Sequence, residues 1–524
     1  MTMHHANDFA ALDVAVAPPV QSRMRHFPRL TPDEAARVIQ HGDMVAFSGF
    51  TPAGAAKAVP RAIAKFARAE HEANRDFQIR ALTGASTGAS LDDTLAEADA
   101  ISWRAPYQSS GPLRKQVNSG AVQFVDMHLS HVPQMVLFGF LGKVDVAVVE
   151  ASEVTRDGRV YLTTSIGASP TFLQAAEKVI IELNEHQSVR LSDMADIVTP
   201  KPPPYRPGLD LHHPLERIGK SYVLIDPKKI VGIVETDEAD ELGSMSPADD
   251  ISEAIAGHVV EFIQRELASG RLPTDFLPLQ SGVGNIANSV MQGIGSNPEI
   301  PDFLMYSEVL QSAPFELLLS GRLQGASTTA LTLLPEQMEM LLENVDELSS
   351  RLVLRPQEIS NNPAVVRQLG VIAMNTALEV DLYGHVNSTH VSGRRMMNGI
   401  GGSGDFARNA YLSIFVCPSA VKGGRISTIT PMCSHVDHNE HSVNVIVTEQ
   451  GYADLRGLAP AQRAQRIIEH CAHPAYKDYL HRYYRNAGGG HIRHNLSRCF
   501  ELHENLERYG WMLPELAGDD ETGQ

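Results

Sequence analysis

Apolar positions along the chain fall into short continuous runs, separated by longer stretches where they recur at helical spacing. "MVAFSGF" (44–50) is a strand-like run ending in a turn, and "AAKAVPRAIAKFARAEHEA" (55–73) begins a helix after it. "VDVAVVEAS" (144–152) and "SYVLIDPKKIVGIVET" (221–236) are further strands, apolar almost throughout, as strands buried on both faces tend to be. Short apolar runs alternating with helices predict α/β layering with parallel sheets. The Pro-rich "TPKPPPYRPG" (199–208) predicts a rigid surface excursion.

The pattern restarts after the acidic stretch "ETDEADELGSMSPADD". A helix at "ISEAIAGHVVEFIQRELASG" precedes "FLPLQSGVGNIANSVMQGIG". There an apolar run, Ser281-Gly282 and a helix start of small residues repeat the order of Val45 to Gly49. Two related α/β halves joined near residue 245 follow. We expect a leader at 1–26, domains at 27–245 and 246–510, and a tail at 511–524.

"MNGIGGSGDFARNAYLSIF" (397–415) satisfies G-x-G-x-x-G over Gly399, Gly401 and Gly404. A dinucleotide fingerprint must follow a strand and open a long helix. Here "HVSGRRMMN" precedes it, polar and unlike a strand, and "DFARNA" allows one or two helical turns. No G-x-x-x-x-G-K-[ST] occurs either. The glycines therefore form a tight turn or let backbone approach a ligand closely.

Composition narrows the field. The 524 residues are 43% hydrophobic, enough for two or three cored domains, and carry a net charge of −18. That acidity argues against nucleic acid and anionic membranes as partners. No apolar run reaches the ~20 residues of a membrane span. Cys417, Cys433, Cys471 and Cys499 are scattered, with no CxxC, and read as reduced intracellular thiols. A cytoplasmic protein is expected.

Longer motifs go further. "SGFTPAGAAKAVP" (48–60), "RAPYQSSGPLRKQVNSG" (104–120), "DMHLSH" (126–131), "LPLQSGVGNIANSV" (277–290), "MYSEVLQ" (305–311), "SNNP" (360–363), the glycine stretch and "SHVDHNEHSVNVIVTEQGYADLRGL" (434–458) together resemble the acetyl-CoA hydrolase/transferase family of class I CoA-transferases. The resemblance spans roughly residues 27 to 510. It implies two open α/β domains with the active site between them, a homodimer, acyl-CoA and short-chain carboxylates as substrates, and no cofactor beyond coenzyme A itself. A succinyl-CoA:acetate transferase is the leading reading, with an acetyl-CoA hydrolase or a propionyl-CoA:succinate transferase as alternatives.

Exchanging one thioester for another needs a nucleophile that can carry each group in turn, and a carboxylate shielded from water can do so. Glu150, Glu308, Glu379 and Glu449 lie in apolar surroundings and are the candidates. The resemblance places the thioester-forming role on Glu308, leaving Glu449 as its main competitor. It also implies a coenzyme-binding turn at Val283, Gly284, Asn285, Ile286 and Ala287. Further coenzyme contacts are implied at Asn398, Gly402 and Lys422, with Asn361 near the reacting carbonyl. Thr51 to Gly54 would complete an oxyanion site from the other domain. His435, Asp437, His438 and His441 have ligand-like spacing. The metal-independent family shows the same stretch, so a hydrogen-bonded loop is expected there and no metal. The acidic link lacks the Pro-containing pattern expected at that place, which leaves its part in selecting the carboxylate open.

Overall fold

A computed structural model describes residues 26–241 and 248–517. The expected leader up to residue 25, the junction at 245 and the second half of the expected tail lie outside the described residues.

Fifteen strands build two sheets. In the first half they are β1 (Met44–Phe47), β2 (Ile79–Leu82), β3 (Ile101–Ala105), β4 (Gln123–Phe124), β5 (Val146–Ala151), β6 (Lys178–Asn184) and β7 (Ile230–Thr236). They form one parallel sheet in the order β7-β6-β5-β1-β2-β3-β4. In the second half they are β8 (Leu279–Ser281), β9 (Phe303–Tyr306), β10 (Leu323–Thr328), β11 (Leu352–Leu354), β12 (Ile372–Thr376), β13 (Leu412–Val416), β14 (Val445–Thr448) and β15 (Gly451–Asp454). Their order is β11-β10-β9-β8-β12-β13-β14-β15, parallel except for the last pair. Counted from its own first strand, each sheet therefore runs 4-3-2-1-5-6-7, and the second adds one antiparallel edge. The repeated order gives the two α/β halves a common winding.

Local physics explains the elements. β1 and β5 are buried at every position, as the unbroken apolar runs predict. Helix α1 (Ala58–Glu72) buries Val59, Ile63 and Ala67 against the first sheet. Helix α2 (Asp250–Ala268) opens the second half, with Asp249 accepting from the Ser252 N–H at 2.8 Å as its N-cap. Helix α3 (Asn285–Ser296) follows β8 and lies against α2, with Gly293 facing Val260.

Two local expectations change. The run 221–236 is not one strand: Val223–Leu224 pairs in a small antiparallel sheet, and only Ile230–Thr236 joins the main one. Asp226-Pro227 breaks the run, the Asp226 side chain accepting from the Lys228 N–H at 3.0 Å. "HVSGRRMMN" does contain strand, since His390–Val391 pairs antiparallel with Arg395–Met396. Its turn, with Ser392 at φ 51° and Gly393 at φ 65°, makes the hairpin where no apolar alternation signals one.

The described start of the acidic link, 235–241, is bound to the first domain. Glu238 pairs with Arg61, Asp240 with Lys57 at 2.9 Å, and Glu241 accepts from the Ser90 N–H at 3.1 Å. Across the middle of the molecule, segment 164–167 exchanges backbone bonds with the second half. Ile166 N–H donates to the Thr329 carbonyl and Leu331 N–H to the Thr164 carbonyl, both at 2.9 Å. A single buried apolar cluster runs from Met44 and Ala147 through Leu279 to Val447. The two sheets thus share one core, and the seam between them is as firm as an interior.

Candidate active site

In open α/β sheets ligands sit beyond the carboxyl ends of the strands, where the winding reverses direction. In the second sheet that point lies between β8 and β12. A cavity of about 520 Å³ opens there, lined from the second half by residues including Gly284, Asn288, Glu308, Asn375 and Gly402. The first half contributes Phe50, Thr51, Tyr107 and Leu129, so the cavity lies between the domains as expected.

Glu308 stands just past the end of β9, before the short strand Val309–Gln311. Its carbonyl accepts from the Thr329 and Ala330 N–H groups at 2.8 and 3.1 Å, which pins the backbone. Its carboxylate accepts from Asn361 Nδ2 at 2.7 Å. Gly402 closes over it so tightly that a Cβ there would fall on the carboxylate and on Asn361. Burial, with the Asp405 charge adding to it against the Asn361 hydrogen bond, pushes Glu308 up to about 7. Among the described residues lining the cavity none is Lys, Arg or His, so no cation compensates this carboxylate.

The other three glutamates have structural partners. Glu150 is fully buried and bonded to Lys57 at 2.6 Å and Thr163 at 2.7 Å. Glu379 joins His503, Asn387 and Ser434. Glu449, the expected competitor, is not at the cavity wall and binds the Ser419 N–H at 2.7 Å and its hydroxyl. Burial raises its pKa, but the bonds from Ser419 and Gln450 outweigh that and hold it below the ordinary range.

The glycine stretch is clamped between the halves. Asp126 accepts from the Ile400 N–H at 2.9 Å, Leu129 N–H donates to the Gly401 carbonyl at 3.3 Å, and Asn398 Nδ2 donates to the Tyr107 hydroxyl at 2.8 Å. Gly399 and Gly401 need glycine, at φ 141° and 61°. Only the short helix α4 (Ser403–Ala407) follows.

Of the expected coenzyme turn, Val283, Gly284 and Asn285 line the cavity mouth, Val283 at 57% exposure. Ile286 instead packs toward the core, and Ala287 is not at the wall. Gly284, at φ 109°, stands at the start of α3 and gives it no side-chain cap. Lys422 is exposed at the tip of the hairpin joining Ala420–Val421 to Ile426–Ser427, outside the cavity wall. Of Thr51 to Gly54, only Thr51 and Pro52 reach the wall. Proline has no N–H, and the Gly54 N–H is directed at Asp240, so the expected oxyanion stretch reduces to Thr51. Thr51, at φ 59°, bridges the domains through its hydroxyl to Thr332 at 2.8 Å.

The histidine stretch does not converge. His438 is buried against Phe415 and bonded to Ser403 at 3.1 Å, His435 lies 3.2 Å from Asp437, and the His441 side chain is 82% exposed. Among the described residues no three side chains of His, Cys, Asp or Glu form a metal-sized group. All four cysteines are buried and unpaired. No helix among the described residues is long and apolar enough to cross a membrane.

Sequence reasoning assigned no role to Tyr107, Asp126, Ser130 or Asp405. The first three lie in "RAPYQSSGPLRKQVNSG" and "DMHLSH", motifs that carried the resemblance, and Asp405 sits in the glycine stretch itself.

Two like-wound α/β domains closing on a shared cavity are the architecture of the CoA-transferase class. The same fold is seen in the solved 4-hydroxybutyrate CoA-transferase of Porphyromonas gingivalis, at a TM-score of 0.59 and 20% identity over 87% of this chain and 97% of that one. Models of the acetyl-CoA hydrolase/transferase N-terminal and C-terminal domains match residues 20–235 and 338–484. A propanoyl-CoA:succinate CoA transferase of Escherichia coli is 59% identical over 93% of this chain and 99% of its own length. A succinyl-CoA:acetate CoA-transferase of Clostridium kluyveri is 45% identical over 92% of this chain and 90% of its own. An acetyl-CoA hydrolase of Schizosaccharomyces pombe is 41% identical, over 94% and 98%. This chain belongs to the acetyl-CoA hydrolase/transferase family.

Proposed function

We propose that this enzyme moves coenzyme A between short carboxylic acids through a covalent intermediate on Glu308. One Glu308 oxygen attacks the acyl-CoA carbonyl carbon and the C–S bond breaks. Coenzyme A leaves as thiolate and the acyl group becomes a mixed anhydride. The thiolate then attacks the glutamyl carbonyl, the acyl carboxylate leaves, and a glutamyl-CoA thioester remains. A second carboxylate reverses the two steps. In the first attack charge appears on the acyl carbonyl oxygen; in the second it appears on the glutamyl oxygen, and Asn361 Nδ2, at 2.7 Å from Oε1, is the donor placed to stabilise it there. Succinate, propanoate and acetate, named for the relatives above, are the acids to test.

The observation that carries this reading is the Glu308 carboxylate, held by Asn361 and Gly402 at the wall of the interdomain cavity with no cation beside it. Glu150, by contrast, is paired with Lys57. Incubation with propanoyl-CoA alone should leave coenzyme A attached to the peptide containing Glu308, detected by mass. Glu308→Ala should lose turnover at least a hundredfold, ~2.7 kcal/mol in barrier, while still binding coenzyme A. A label on another peptide, or an active Ala variant, overturns the assignment.

A further inference from the structure

The chain of contacts at Glu308 continues beyond Asn361. Asn361 Nδ2 donates at 2.7 Å to Glu308 and also lies 3.3 Å from Asp405 Oδ2. Asp405, 4% exposed in α4, accepts from the Ser130 N–H at 3.0 Å and from its hydroxyl at 2.6 Å. Ser130 belongs to the first domain, Asp405 to the second. The turn that carries Ser130 is also held by Gln357 Nε2, which donates to the Leu129 carbonyl at 2.8 Å.

An Asn side chain can present either end of its amide. The Ser360 hydroxyl, 2.9 Å from Asn361 Oδ1, does not decide between them, because a hydroxyl can donate or accept. An ionised carboxylate only accepts, so Asp405 favours the orientation in which the NH₂ faces both carboxyls. We infer that Asp405 is a positioning residue for Glu308: it fixes the Asn361 amide and, through Ser130, makes that arrangement depend on the first domain being seated on the second. This rests on reading Glu308 as the nucleophile.

The charges around the pair are few. His128 Nδ1 lies 3.9 Å from Asp405, beyond hydrogen-bond reach, and burial, with the nearby His131 and Arg408, holds that ring below the ordinary histidine range. Tyr107 faces Glu308 across the cavity, and burial raises its hydroxyl to about 12. Arg408, later in the same segment, is exposed. Burial also raises Asp405 to about 7, so the two carboxyls repel through one shared amide. Removing the Asp405 charge therefore lowers the pH at which Glu308 ionises.

The test uses the full-length enzyme and the variants Asp405→Asn and Ser130→Ala. With propanoyl-CoA and succinate, Asp405→Asn should lose at least tenfold in kcat with KM for propanoyl-CoA within threefold. Its midpoint in the pH profile of kcat/KM should move down by about half a pH unit or more. Ser130→Ala removes a donor that favours the Asp405 anion, so its midpoint should move the same way by less. A merely structural role would lower the melting temperature and the active fraction while leaving both midpoints in place, and that result overturns the inference. If Asp405→Asn does not fold, the Ser130→Ala midpoint decides alone. Wild-type enzyme labelled at Glu308 with unmoved variant midpoints defeats this inference only; wild-type label elsewhere defeats the nucleophile reading.

Discussion

A reactive carboxylate needs to be uncomfortable in the resting protein, and Glu308 is. Its pKa of about 7 lies well above the ~4.3 of an unfolded-chain glutamate. The sign of the linkage follows. A carboxyl whose folded pKa is raised contributes stability that is complete below the unfolded pKa and is lost as pH rises through about 7. Above neutrality the folded enzyme holds an anion that burial and Asp405 disfavour. Glu308→Gln removes that anion, keeps the shape, and can still bond to Asn361. Its melting temperature should match wild type near pH 4 and exceed it increasingly toward pH 8. A wild-type advantage at pH 8 would show that Glu308 is stabilised in place, and the raised pKa would be wrong. The same residue gives the lesson of what could be read in advance. Glu308, Asn361 and Gly402 came from motif resemblance, and the geometry brings all three together. Asp405 and Ser130 were not legible as partners, because their bond joins positions 275 apart and leaves no local pattern.

At the level of elements, the strands that announce themselves are those buried on both faces, such as β1 and β5. The hairpin at 390–396 is made by its turn and the break at Asp226-Pro227 by a side-chain bond, so hydrophobic spacing reports neither. In the acidic link the contacts come from long-range partners that composition does not report. Asp240 accepts from Lys57 Nζ at 2.9 Å and from the Gly54 N–H at 3.3 Å, and the Thr164 hydroxyl also donates to it. It thereby anchors the loop that carries Thr51 to the cavity. Lys57 keeps its bond to Glu150 when Asp240 is removed, so the fold should survive. Asp240→Ala should cost about 2 kcal/mol of stability, the typical loss of charge-assisted hydrogen bonds. It should also raise KM for the acceptor carboxylate several-fold, with KM for the acyl-CoA nearly unchanged, since the turn at Val283 to Asn285, expected to hold the coenzyme, is on the other domain. Thermal melts and two-substrate kinetics check both halves. Equal rises in the two KM values would mean that the link does not act through the Thr51 loop.

At the scale of the whole molecule, the proposed mechanism turns on whether water or a carboxylate meets its intermediate first. A glutamyl-CoA thioester is hydrolysable wherever water reaches it, and the family contains enzymes named for each outcome. Several features favour the carboxylate here. The two sheets share one core, and backbone bonds across 164–167 hold the seam shut behind the site. Phe50, Leu129 and Val309 form an apolar wall on the Glu308 side of the cavity. The glycine stretch is held over the carboxylate from the first domain by Asp126 and Leu129. With no cationic side chain at the wall, an incoming carboxylate would meet polar side chains such as Thr51 and Asn375 and no fixed positive charge, which leaves it nucleophilic. Initial rates with acetyl-CoA and succinate should accordingly give parallel lines in double-reciprocal plots, because the first product leaves before the second substrate enters. Release of coenzyme A without any acceptor should be slower by at least about a hundredfold, equivalent to ~2.7 kcal/mol in barrier. A continuous thiol assay measures both. Fast release without acceptor, unchanged by acetate or succinate, would mean that water reaches Glu308 freely, and the enzyme would then be a hydrolase built on a transferase frame.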